Sequence, residues 1–216
     1  MVQTVRGEVG PAAPGSLAGE QTIRLDSSGG LITNTFGKYY HLAKLGVLFH
    51  ATTTTLVGLA PGTDAAGTAA TLVLHNPASS GKDLVIYEGR VSRGSTGDVG
   101  PGTIYWMMES DSTLGVPTGT AATVVNGYVG AGGASVAKAL YTVTVDGTNP
   151  RPVRIAAALF ENAVANTAAG VASPATDDVG GSIIVPPGVW VGLMGHSNAG
   201  ASPLVTEGIL WAELPT

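Results

Sequence analysis

From Gly46 to the end of the chain, apolar residues come in short runs broken by Gly, Pro, Asn and Asp. Runs of this length bounded by turn formers are the pattern of β-strands. They predict strands over Gly46–Thr53, Ala69–Asn76, Leu84–Ser92, Thr103–Glu109, Ala121–Val129, Ala139–Val145, Val153–Phe160, Ile183–Val185, Val189–Met194 and Leu204–Ala212. The clearest alternation places Ala139, Tyr141, Val143 and Val145 on one face, with Leu140, Thr142 and Thr144 on the other. Asp146-Gly147 then forms a turn. Val153, Ile155, Ala157 and Leu159 repeat the alternation. In Leu84–Ser92, Val85, Tyr87 and Val91 are expected to share a face, opposite Glu88 and Arg90. Asn126-Gly127 marks a bend or bulge.

Helical patterning is poor. Tyr39–Leu45 has room for a turn or two. Ala156–Ala169 is Ala-rich and fits strand or helix, and Gly170, Pro174, Gly180 and Gly181 predict a long loop after it. No amphipathic pattern of helical period is sustained. Many short strands without alternating helices predict an all-β fold, a β-sandwich of jelly-roll-like form, with an immunoglobulin-like sandwich as the alternative. No repeat of fixed period points to a propeller or solenoid. Residues 1–20, with Gly7, Gly10, Pro11, Pro14, Gly15 and Gly19, have neither period and predict an extended N-terminal arm. Residues 21–216 are expected to form a single sandwich domain.

Charge changes the picture. Only 12% of residues are Asp, Glu, Lys or Arg, about half the usual share. Gly occurs 32 times and aromatics make up 6%. So few charges suit a surface partly covered in an assembly. The net charge is −5, and the ten Lys and Arg are scattered, with no stripe to follow a phosphate backbone. Nucleic acid is therefore not an expected partner. The absence of Cys removes disulfides and thiolate chemistry. Met1–Ser16 lacks the apolar core of a secretory signal, and no run approaches the length of a membrane span. Synthesis in a cytoplasm is the expectation.

Gly195-His196-Ser197-Asn198-Ala199-Gly200 follows a predicted strand, as a serine-hydrolase elbow would. The elbow needs a helix after the serine. Here Asn198, Gly200 and Pro203 follow, and no His comes later to act as base. A polar loop is the better reading. His41, His50, His75 and His196 show no metal-ligand spacing, although His50 and His75 lie in neighbouring predicted strands. Asp177-Asp178 and Glu109–Asp111 lack the alternation of a calcium loop and read as solvated loop charges. Trp106, Trp190 and Trp211 sit in apolar runs and are expected in the core rather than on a sugar platform. Gly127, Gly130, Gly132 and Gly133 precede no Lys-Ser/Thr helix and make no phosphate cradle. No catalytic, cofactor or metal residue is assigned, and an enzyme is not expected.

Two segments carry a resemblance. In Ser182-Ile-Ile-Val-Pro-Pro-Gly-Val-Trp-Val-Gly-Leu-Met194, two apolar runs flank Pro186-Pro187-Gly188 and are expected to form a hairpin. The chain closes with Gly208-Ile-Leu-Trp-Ala-Glu-Leu-Pro-Thr216. With Leu72-Val-Leu-His-Asn-Pro77, Leu84-Val-Ile-Tyr87 and the opening Arg6–Gly15, they resemble virion structural proteins of tailed bacteriophages, of the capsid decoration or cement kind. The resemblance implies a jelly-roll-like structural protein in the virion, a homotrimer by preference, whose partners are its own copies and the major capsid protein. The chain is short for a major capsid protein and has no long helix. The N-terminal arm would lie on a neighbouring subunit or on the shell. Two rival functions are a glycan- or receptor-binding fibre module using Tyr39, Tyr40, Tyr128 and the Gly195–Gly200 loop, and a hydrolase using Ser197.

Overall fold

The computed structural model describes residues 39–55, 57–58, 60–61, 69–93, 102–108, 116–130, 132–145, 151–159, 175–197 and 204–216. In chain order these form α1 (Tyr40–Lys44), β1 (Leu48–Thr52), β2 (Val57–Gly58), β3 (Ala60–Pro61), β4 (Ala69–His75), β5 (Lys82–Arg93), β6 (Gly102–Met108), β7 (Thr118–Ala121), β8 (Val124–Asn126), β9 (Lys138–Thr144), β10 (Arg151–Leu159), β11 (Ala175–Val185), β12 (Trp190–Ser197) and β13 (Leu204–Pro215). The expected arm over residues 1–20 and the turn at Asp146-Gly147 lie outside the described residues, as does the Ala-rich stretch beyond Leu159.

The all-β sandwich expected from the strand pattern is the fold. One sheet runs β11-β5-β13-β1-β8, with β2 beside β13. The other runs β10-β6-β12-β4-β9-β7, with β3 beside β12. Every ladder is antiparallel except the short β3–β12 contact. Leaving aside the short β2 and β3, the chain changes sheet at each step from β1 to β4, β5 and β6, and again from β10 to β11, β12 and β13. This double winding is the jelly-roll arrangement. β7, β8 and β9 are inserted between β6 and β10, and they widen both sheets on one side.

The crossovers correct the hairpin expected at Pro186-Pro187-Gly188. The turn forms, and Gly188 has the anticipated positive φ of 87°. Yet β11 pairs with β5 while β12 pairs with β4 and β6. The segment is an arch between sheets, because both runs bury apolar side chains against opposite layers. Buried Asn76 brackets this arch. Its Nδ2 donates to the carbonyls of Lys82 and Val185, its N–H donates to Val189, and its carbonyl accepts from Gly188. The Leu72–Pro77 and Ser182–Met194 segments are thus tied to each other.

The main core lies between the sheets. Phe49 and Trp211 stack at 6.0 Å, and Leu72, Leu84, Ile86, Trp106 and Leu193 are fully buried around them. All three tryptophans are buried, as expected. A second buried apolar cluster, with Val73, Met107, Val143, Trp190 and Met194, draws on the seven-stranded sheet and the residue after β9.

Bulges redirect several faces. Leu210 pairs with Glu88 and Trp211 with Ile86, so Tyr87 is an extra residue in β5. One extra residue exchanges the faces. Val91 therefore joins Leu84 and Ile86 in the core, and the expected Val85–Tyr87–Val91 face does not exist. In β9, Thr142 takes a left-handed φ of 52°. Ala139 and Tyr141 consequently belong to the main core, while Val143 and Val145 join the second cluster. The long loop expected through Gly180-Gly181 is strand instead. β11 begins at Ala175 and absorbs both glycines, at φ 63° and 86°, in a bulge opposite Tyr87. Val153 and Ile155 are exposed on edge strand β10 while Ala157 is buried, because bulges on either side of Arg154 and Ile155 break the alternation expected through them.

Candidate functional site

Among the described residues, the sandwich has one tied side and one open side. From β7 the chain crosses directly to β8 through Ala122 and Thr123, joining the two sheets at those edges. On the opposite side, β10 and β11 are the edges of their sheets and face one another. Among the described residues, one ion pair spans them, between Arg154 Nη2 and Asp177 Oδ1. Asp177 also accepts from Trp106 Nε1 at 2.7 Å. It is therefore a partly buried strand residue that orients a core indole, not the solvated loop charge expected from sequence. No signal in the sequence paired Asp177 with Trp106, since their juxtaposition depends on sheet packing.

The open side is both apolar and irregular. Ile155 is 60% exposed, Ile184 52% and Val153 43%. Pro152 has no N–H for a ladder. Register shifts interrupt both β10 and β11. Such devices keep an edge from accepting another regular strand. Contacts made here must therefore use side chains more than backbone pairing.

The other candidate residues fall apart or become structural. Ser197 ends β12, opposite Gly102 of β6 and Pro61 of β3, and residues 198–203 lie outside the described chain. His50 and His75 do not meet. β1 and β4 belong to different sheets, and His50 is exposed while His75 is buried. Partial loss of surrounding water lowers the pKa of both rings, helped by Arg90 near His50 and Lys138 near His75. Among the described residues no group of three or more His, Asp or Glu has the geometry to hold a metal ion. Glu109–Asp111 lies outside the described residues. Gly132 and Gly133 lie against Asn126, whose Nδ2 donates to the carbonyls of Gly46 and Gly133. A Cβ on Gly132 would lie 1.9 Å from Asn126 Cγ, so this glycine is required by close approach.

The tyrosines are brought to one region. Tyr39 donates to Glu88 Oε1 at 2.9 Å and sits edge-on to Tyr87 at 5.2 Å. Lys44 Nζ lies 4.7 Å from the Tyr128 ring and 5.8 Å from that of Tyr40, within cation–π range. Around them a row crosses the outer face of the β1 sheet: Val125, His50, Leu210, Glu88 and Asp178. Gly195 belongs to the other sheet, so it does not join this group.

Two carboxylates on β13 escaped the sequence reading. Glu213 is fully buried; it pairs with Lys82 at 3.1 Å and accepts from Ser135 Oγ and from the backbone N–H groups of Val136 and Ala137. It fastens the segment before β9 to the sheet of β13. Glu207 is 1% exposed, points into the core, and contacts Thr71. Alternation alone gave both away: each occupies an inward position of an otherwise apolar strand. No family model, curated protein or solved structure matches the chain.

Proposed function

We propose that this chain is a non-enzymatic virion structural protein, an auxiliary capsid component of the decoration or cement kind. It would stabilise a particle by associating with its own copies and with the major capsid protein. The observation that carries this reading is the open β10/β11 side, where Val153, Ile155 and Ile184 are exposed on edges unsuited to strand addition. Isolated exposed apolar residues are ordinary, whereas exposed apolar residues on the outward faces of both edge strands of a weakly charged protein favour an interface. The resemblance of the Ser182–Met194 and Gly208–Thr216 segments to phage virion proteins supplies the biological setting. A homotrimer places three such sides about one axis.

Light scattering on the full chain tests the assembly. A mass of about three times 21.5 kDa is expected, falling to one chain for the double variant Val153→Asp, Ile155→Asp. A wild-type monomer at micromolar concentration that also fails to bind shells of the capsid protein would refute the reading. The Tyr40–Lys44–Tyr128 group favours a second reading, a glycan- or receptor-binding module, because exposed aromatic rings offer stacking surfaces. Glycan-array binding lost in Tyr128→Ala would move the assignment there.

A further inference from the structure

Glu207 lies between the two sheets, flanked along β13 by core residues Val205 and Ile209. Thr71 Oγ1 of the facing sheet is 2.6 Å from Glu207 Oε2 and 2.7 Å from the carbonyl oxygen of Leu193. A hydroxyl has one proton, and a backbone carbonyl can only accept. If Thr71 donates to Leu193, the second short contact needs a proton on Glu207. If Thr71 instead donates to an ionised Glu207, its oxygen is left against the Leu193 carbonyl with no proton between them. Glu207 Oε1 has no partner at all. A buried carboxylate with one shared donor is costly, whereas a carboxylic acid in the same place satisfies both short contacts and leaves only the weakly accepting Oε1 without a donor.

Among the described side chains, no charge stands by to take the place of the proton. On β5, Val91 is opposite Glu207, and the neighbouring Glu88 and Arg90 pair with each other on the outer face. Arg93 stands at the register position of Val205, two residues before Glu207 on β13. Toward β1, Thr53 exchanges hydrogen bonds with the Glu207 backbone, and His50 is exposed. His75 lies beyond Leu74 on β4, His196 stands opposite Thr103 on β12, and Tyr141 on β9 accepts from Thr54. On β13 itself, Glu213 is held by Lys82. Burial pushes the Glu207 carboxyl up to about 8, against a smaller opposing effect of Thr71.

We infer that Glu207 is a proton-operated latch between the sheets, which holds β13 to β4 through Thr71 while protonated and loosens the sandwich there when ionised. This device is independent of the proposed role in a particle. In the unfolded chain the carboxyl titrates near 4.5. Between that pH and about 8 the folded state alone keeps the proton. The latch contribution is therefore complete below pH 4.5, lost progressively up to about 8, and constant above it.

Urea denaturation of the full chain from pH 4 to 9.5 reads this directly, with Glu207→Gln as the reference. Gln is neutral and retains a donor for Thr71. Relative to it, the wild-type folding constant is expected to fall about tenfold per pH unit across the window, then level off. Parallel profiles for the two proteins would overturn the latch. Should the Gln variant not fold, infrared spectra of the wild type decide. A protonated-carboxyl C=O band at pH 7 that disappears by pH 9.5 is expected, and its absence at pH 7 would overturn the inference.

Discussion

Gly89 in β5 faces the indole of Trp106 across the sandwich, and it is the position where the closeness of the two sheets is most open to test. A Cβ there would lie 2.5 Å from Cζ2 and 3.2 Å from Cε2 of Trp106. Carbon atoms settle at about 3.5–4.0 Å, so the ring in Gly89→Ala must retreat by roughly 1 Å. It is fully buried and tethered through Nε1 to Asp177 at 2.7 Å, so retreat strains packing and that hydrogen bond together. Overpacking costs about 1–3 kcal/mol. Gly89 has no left-handed φ, so alanine fits the local backbone and recovers about 0.4–1 kcal/mol through the unfolded chain. The steric term wins, for a net loss of about 1.3 kcal/mol. With a urea slope of about 2 kcal/mol per M, the unfolding midpoint falls by about 0.6 M. Trp106→Phe removes the colliding ring edge, so the double variant should lose less than the sum of the singles. A Gly89→Ala protein as stable as wild type would refute the close approach of β5 to β6.

Glu213→Ala should cost about 3 kcal/mol in the same denaturation assay, because Lys82 and the N–H groups of Val136 and Ala137 lose their buried acceptor. Hydrogen exchange should quicken at Val136 and Ala137 ahead of the strands. Thr142→Gly should raise stability by about 1 kcal/mol, since a β-branched residue at φ 52° is strained and glycine is not; a loss in thermal denaturation would contradict the bulge. Across pH 4.5 to about 8, Glu207 alone should remove about 1.4 kcal/mol of stability per pH unit.

The strand content of this protein was legible because short apolar runs between Gly and Pro leave a chain few alternatives. β4, β6, β9 and β12 lie close to where the pattern placed them, and the burial of Trp106, Trp190 and Trp211 followed from their apolar neighbours. The positive φ of Gly188 was likewise local, set by Pro-Pro-Gly itself. What the sequence could not decide is which strands pair. Pro186–Gly188 turns the chain equally well within a sheet or between sheets; the arch forms because Asn76 brackets it and because β11 and β12 each complete a different layer. A period of two gives a strand two faces without saying which is inside beyond a bulge. Tyr87 and Thr142 therefore moved Val91 and Val143 to faces the alternation did not assign. The same dependence on pairing separates His50 from His75, and it joins Trp106 to Asp177 and Thr71 to Glu207. Composition and period are properties of neighbours in the chain; the contacts of Trp106 with Asp177 and of Thr71 with Glu207, 71 and 136 positions apart, exist only once the two sheets have closed on each other.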